Sequence, residues 1–152
     1  MQASELLLET TAAEEGYRQF PYRDVNGNWT VGNGHLILPD EDFSAGLTKD
    51  QALSVLNIDM CRAEAIVNRE LGPMITAGGQ VSQGEYDACC DAVFNMGDFL
   101  KGSTLLKDLA AGNNEAARQQ LERWDYAGSK PNAGLHARRL VEMDLWARGA
   151  QG

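Results

Sequence analysis

Apolar residues recur every three or four positions along most of the chain and alternate only briefly, so the pattern predicts several helices and one small β element. Ser4 is placed to cap a first helix reaching about Glu14, with Leu7 and Leu8 on its inner side. From Gly16 to Leu38, aromatic and β-branched residues alternate with turn formers. Asn26-Gly27 there predicts a type I′ hairpin, since both residues tolerate positive φ. Pro39-Asp40-Glu41-Asp42 reads as an exposed acidic loop. The longest periodic run follows. Thr48 and Gln51 form a capping box, and Leu53, Leu56, Met60, Ala63 and Val67 make one apolar stripe, with an end expected at Gly72-Pro73. Ser82 and Glu85 make a second capping box for a helix reaching Gly97. Ser103 caps a short helix that stops at Gly112. Asn113 or Asn114 opens the next, through Leu121 and Trp124. Gly134 precedes a last helix from Leu135 to Arg148.

These elements predict an α+β, mainly α fold in a single domain over residues 1–152. Its parts are a hairpin portion at about 15–47, a linking helix at about 48–71, and a helical portion at about 74–148 joined by the N-terminal helix. A chain of 152 residues that is 43% hydrophobic has room for one core without disulfide staples. Thirteen Lys+Arg against 22 Asp+Glu leave a net charge of −9. That argues against nucleic-acid binding, which needs a basic face. No segment is apolar for long enough to span a membrane, and no basic-then-apolar leader is expected at the N-terminus. Cys61, Cys89 and Cys90 fit neither a disulfide framework nor zinc spacing, and read as small apolar side chains of a protein folded in a reducing cytoplasm.

The chemistry concentrates in residues 15–35. Glu15 ends a helix, Asp24 lies in the hairpin that follows, and Thr30 stands on its return strand. Carboxyls on separate elements can be held apart as glycosidic cleavage requires, one protonated and one ionised. Spacing alone leaves the plainer roles open, a solvated helix end for Glu15 and a turn former for Asp24. Asp24-x-Asn26-x-Asn28 opens like a calcium loop, but Trp29 and His35 occupy the positions where glycine and glutamate belong.

The run Glu15-x8-Asp24-x5-Thr30, followed by Val31-Gly-Asn-Gly-His35, resembles the catalytic segment of the phage-type lysozymes, the glycoside hydrolase family 24 of T-even and lambdoid phages. Leu47-Thr-Lys-Asp-Gln-Ala, Phe94-Asn-Met-Gly97, Ser103-Thr-Leu-Leu, Tyr126-Ala-Gly128 and Gly134-Leu-x-x-Arg138-Arg139-x-x-Glu142 extend the resemblance over roughly residues 5–148. It implies a lysozyme-like fold and a muramidase, or endolysin, cutting the β-1,4 bond between N-acetylmuramic acid and N-acetylglucosamine. Glu15 would be the general acid, with Asp24 and Thr30 holding a water for an inverting displacement that needs no metal or organic cofactor. The implied partner is bacterial peptidoglycan, met by a monomer without nucleic acid or membrane insertion. It would be made in the host cytoplasm and would act at the wall after holin-dependent release or from a virion.

Other roles are expected with the same resemblance. Asn95, Ser103 and Gly34 would bind sugar, although helix polar face and N-cap serve Asn95 and Ser103 as well. His35 and Asp59 would form an ion pair tying the hairpin to the long helix. Trp124 and Trp146 are expected in the core, and Trp29 on the hairpin face opposite Thr30. The acidic net charge weakens attraction to an anionic wall. Either local cations such as Arg18, Arg138 and Arg139 compensate, or the protein works at high local concentration. Two other functions share the fold: a non-catalytic wall-binding or virion module, and a lytic transglycosylase. Neither has a task for Asp24 and Thr30 together.

Overall fold

The long helix is longer than its sequence suggests. In the computed structural model, which describes residues 1–149, α2 runs Lys49–Thr76 over 28 residues with Pro73 inside it. The expected cap is present, Thr48 N–H donating to Gln51 Oε1 at 2.9 Å and Gln51 N–H to Thr48 Oγ1 at 3.2 Å. The stop at Gly72-Pro73 is not. Ala52, Leu56, Met60, Ala63, Val67, Leu71 and Met74 form one buried stripe that continues past it. An interior proline costs about 3 kcal/mol. Burying the Leu71 and Met74 side chains is worth about 1.5–3 kcal/mol each, enough to carry the helix through.

Contacts divide the chain into two units, Glu5–Cys61 and a second made of Met1–Ser4 with the chain from Arg62 onward; α2 contributes to both. The first unit holds α1 (Glu5–Glu15), β1 (Arg18–Arg23), β2 (Trp29–Gly32) and β3 (His35–Leu36). The strands form an antiparallel sheet in the order β1-β2-β3, with Tyr22 opposite Thr30, Arg23 opposite Trp29, and Val31 opposite His35. Its core is Val31, Leu47 and Ala52, flanked by Tyr17, Ile37, Phe43 and Val55. The β1–β2 turn is not type I′, because among the described residues only glycines have positive φ, so Asn26 does not. Asp24 builds the turn instead. Its carbonyl accepts Gly27 N–H at 2.9 Å and its Oδ1 accepts both Asn26 and Asn28 N–H at 2.9 Å.

The second unit contains α3 (Gln83–Met96), α4 (Thr104–Ala110), α5 (Asn114–Gln119), a 3₁₀ turn (Gln120–Trp124), the two-residue strands β4 (Tyr126–Ala127) and β5 (Lys130–Pro131), and α6 (Ala133–Gly149). The small β4–β5 pair has no alternation in sequence and was not expected. Ser82 and Glu85 make the expected capping box, and Ser103 Oγ accepts Leu106 N–H at 3.1 Å to cap α4. Residues from Gly84 to Val93 on α3 are all buried, three carboxylates included, so each acid needs a partner. Glu85 closes the cap and accepts from Asn114 Nδ2 at 2.6 Å. Asp87 receives Gln83 and the Ser4 N–H and hydroxyl. Asp91 meets Arg138. α3 packs on α6 so closely that a Cβ on Gly84 would overlap the Leu145 carbonyl and the Gly149 backbone.

The first four residues are fastened to this unit. Met1 N donates to Asn68 Oδ1 at 3.1 Å, while Asn68 Nδ2 and Tyr86 Oη each donate to Met1 O at 3.0 Å. Gln83 reaches Gln2 O, and Ala3 N–H donates to Glu64. Two aromatic and thiol expectations change. Trp146 is buried, but Trp124 is 41% exposed, its ring against Phe99 at 5.4 Å, because it sits at the end of a 3₁₀ turn. Cys89 and Cys90 are buried with burial pushing their thiols up, whereas Cys61 is exposed on α2.

Candidate active site

Glu15, Asp24, Thr30, Gly34, His35 and Asp59 all fall in the unit Glu5–Cys61; Asn95 and Ser103 fall in the other. Glu15 is half-buried as the last residue of α1. That helix carries no basic residue in its last turn to serve its final carbonyls. Asn33 serves them instead, its Nδ2 donating to Gly16 O at 2.7 Å and to Ala12 O at 3.4 Å. The next residue, Gly34, has φ +79°, and a Cβ there would stand 2.9 Å from Glu15 Oε2. Only glycine lets the acid's carboxyl lie against this turn.

Asp24 is held by the turn it builds, both amide bonds falling on Oδ1. Its Oδ2 takes part in neither of these bonds. Thr30, 4% exposed on β2, donates its hydroxyl to Asn28 O at 3.1 Å and keeps its oxygen lone pairs for an incoming donor. Trp29 lies 50% exposed and carries the Arg23 guanidinium 4.6 Å above its ring.

The turn that follows is clamped. His35 Nδ1 lies 2.8 Å from Asp59 Oδ2 on α2, and Nε2 lies 2.9 Å from Glu41 Oε1. Glu41, expected in an open acidic loop, is thereby a second partner to the imidazole. Burial of the ring is the largest single influence and disfavours its proton, but the hydrogen bonds and charges of Glu41 and Asp59 together outweigh it and raise the His35 pKa. The Leu38 N–H, then His35, holds the Glu41 carboxyl below the usual range.

In the other unit, Arg138 and Arg139 are buried at 6% and 0% exposure, so they are not the wall-facing cations their charge suggests. Arg138 grips Asp91 with two bonds, at 3.0 and 3.1 Å. Arg139 donates to Glu142 Oε1 and to Asn95 Oδ1, both at 2.7 Å. An arginine can only donate, so it fixes the exposed Asn95 with its amide NH₂ directed away from the guanidinium. Burial, reinforced by the charge of Asp91, pushes the Glu142 carboxyl up to about 9, and its Oε2 meets no donor. Ser103, besides capping α4, lines a cavity of about 400 Å³ with Phe99, Lys101, Arg123 and Trp124. Those exposed cations, with Asn33 and Glu41, are the residues that sequence reasoning passed over. Among the described residues no cluster of three His, Cys, Asp or Glu side chains is arranged to hold a metal ion.

A family model described as phage lysozyme matches residues 12–142. The SAR-endolysin of Enterobacteria phage P21 is 34% identical over 140 residues, covering 90% of this chain and 79% of that protein. Among solved structures, the endolysin of Escherichia coli O157:H7 phage FAHEc1 superposes with a TM-score of 0.82 at 26% identity, covering 96% of this chain and 93% of the other. The muramidase domain of SpmX from Asticaccaulis excentricus gives 0.78 at 25% identity, with 95% and 97% covered.

Proposed function

Because the chain belongs to the phage lysozyme family and is a peptidoglycan-hydrolysing lysozyme, we propose that Glu15, Asp24 and Thr30 cleave its glycan strand by single displacement. Glu15 protonates the leaving oxygen of the β-1,4 bond between N-acetylmuramic acid and N-acetylglucosamine. Asp24 accepts a proton from a water that Thr30 helps to orient on the opposite face, which inverts the anomeric centre. Inversion calls for carboxyls about 6.5–9.5 Å apart, room for that water. The observation that carries the reading is how the three groups are held: Glu15 against Gly34, Asp24 by two backbone N–H groups, and Thr30 through Asn28.

Asn95, Ser103 and Gly34 are assigned to saccharide contact, and the His35–Asp59 pair to holding the sheet turn. The enzyme acts on the cell wall as a monomer, reaching it through a holin-type membrane lesion or from a virion. Among the described residues no helix is long and apolar enough to cross a membrane.

Digestion of purified peptidoglycan, with mass spectrometry of the muropeptide ends, tests the reading. Reducing N-acetylmuramic acid ends are expected. Anhydro ends would mean a transglycosylase, and intact glycan a binding module. Glu15→Gln is expected to lower turnover by about 10²–10⁴ while leaving the melting temperature within a few degrees. Undiminished activity in that variant would remove the acid assignment.

A further inference from the structure

We propose that Asn33 is a positioning residue for Glu15, gripping the end of α1 so that the carboxyl is held at its working place on the Gly34 turn. The inference rests on Glu15 being the acid. Asn33 is 7% exposed and lies between two glycines, so its buried polar atoms need partners. An amide there adds two N–H donors, and both are used: one contact to Gly16 O and one to Ala12 O, on either side of Glu15 along the helix end.

The grip is effective because the turn is itself anchored. Two residues beyond Asn33, His35 is fastened to Asp59 on α2 and to Glu41. Gly34, between them, meets Glu15 Oε2. Three successive residues therefore hold the helix end, seat the carboxyl and fix the turn. Removing the amide leaves Ala12 O with the Gly16 N–H at 3.0 Å but takes the 2.7 Å donor from Gly16 O, which loosens the end of α1. A shift of about 1 Å at a reacting group can cost about 100-fold in rate.

The test compares Asn33→Ala and Asn33→Asp with the wild type on purified peptidoglycan from pH 4 to 8, reading kcat, KM and melting temperature. Asn33→Ala is expected to lower kcat about ten- to 100-fold with KM within twofold, by the same factor at every pH. Asn33→Asp is expected to be as poor at pH 8, where its carboxylate cannot donate. Toward pH 4 it should recover at least about fivefold relative to wild type, because a neutral carboxyl offers an O–H to the Gly16 carbonyl. Val55→Ala, which trims the Val31–Leu47–Ala52 core, serves as a control for lost stability and should keep kcat within about threefold. The proposal is overturned if Asn33→Ala stays within threefold of wild type, if the two Asn33 variants run parallel across pH, or if the control loses as much activity. Glu15→Gln measured alongside separates the two assignments. If that variant is active, the acid reading falls and this proposal with it; if it is inactive while Asn33→Ala is active, positioning alone is refuted.

Discussion

Two clusters in this protein pair cations with two carboxylates, and they behave in opposite ways. Around His35, one imidazole sits between Glu41 and Asp59, partly open to water. Around Asp91, two guanidiniums face two acids with almost no exposure. The first uses a group whose charge changes near neutral pH, so its strength depends on solution conditions. The second uses arginines that never titrate, and burial moves the titration onto an acid, Glu142. Location decides which partner responds to pH.

The largest break in the contrast should come from Arg138→Met. It takes both Arg138 bonds from the fully buried Asp91 carboxylate, at a cost of about 3–5 kcal/mol, and should lower the melting temperature by on the order of 10 °C. A drop under 2 °C would mean that Asp91 is satisfied elsewhere. Glu142→Gln should act on pH dependence. The Glu142 carboxyl is raised from 4.5 to about 9 in the fold, so the native state holds a proton that the unfolded chain releases, and stability falls as pH climbs through that window. The glutamine variant should show a flatter melting curve between pH 5 and 9; an unchanged slope would refute a protonated Glu142.

The smallest effect belongs to the clamp. The contribution of charged His35 is complete below about 6.5 and is lost as pH rises through its raised folded value. That of Glu41 is complete above 4.5 and is lost as pH falls through its lowered one. His35→Gln should therefore cost a few degrees of melting temperature at pH 5.5 and almost nothing at pH 9. Glu41→Gln should move the alkaline loss to lower pH, which a His35 proton titration by NMR would follow directly. Equal penalties at both pH values would show that packing against Phe43, 5.4 Å from the ring, matters more than charge.

Features set by neighbours in sequence were legible before the structure. Both capping boxes, at Thr48–Gln51 and Ser82–Glu85, bring together residues three apart, and both formed. Features decided by distant burial were not. Pro73 reads as a stop until Leu71 and Met74 are seen to be buried. Trp124 reads as core until the 3₁₀ turn leaves it at the surface. In the candidate site, Glu15, Asp24 and Thr30 are proposed from the family resemblance, since spacing alone leaves plainer roles open. Asn33 was not, because its partners lie 17 and 21 residues away and local pattern carries no trace of them. Glu41 was hidden by its own acidic run, which suggests a solvated loop and gives no hint of the imidazole six residues earlier.

The fastening of Met1–Ser4 has a consequence for the order of assembly. Synthesis delivers these residues ahead of their partners Glu64, Asn68, Gln83, Tyr86 and Asp87, which follow 61 to 85 residues later. The unit Glu5–Cys61 is contiguous and emerges from the ribosome ahead of all five of those partners. The leading residues must then wait for partners that lie beyond that unit in the chain. During translation Glu15 and Asp24 would thus be set in place before the helical unit can gather its own beginning.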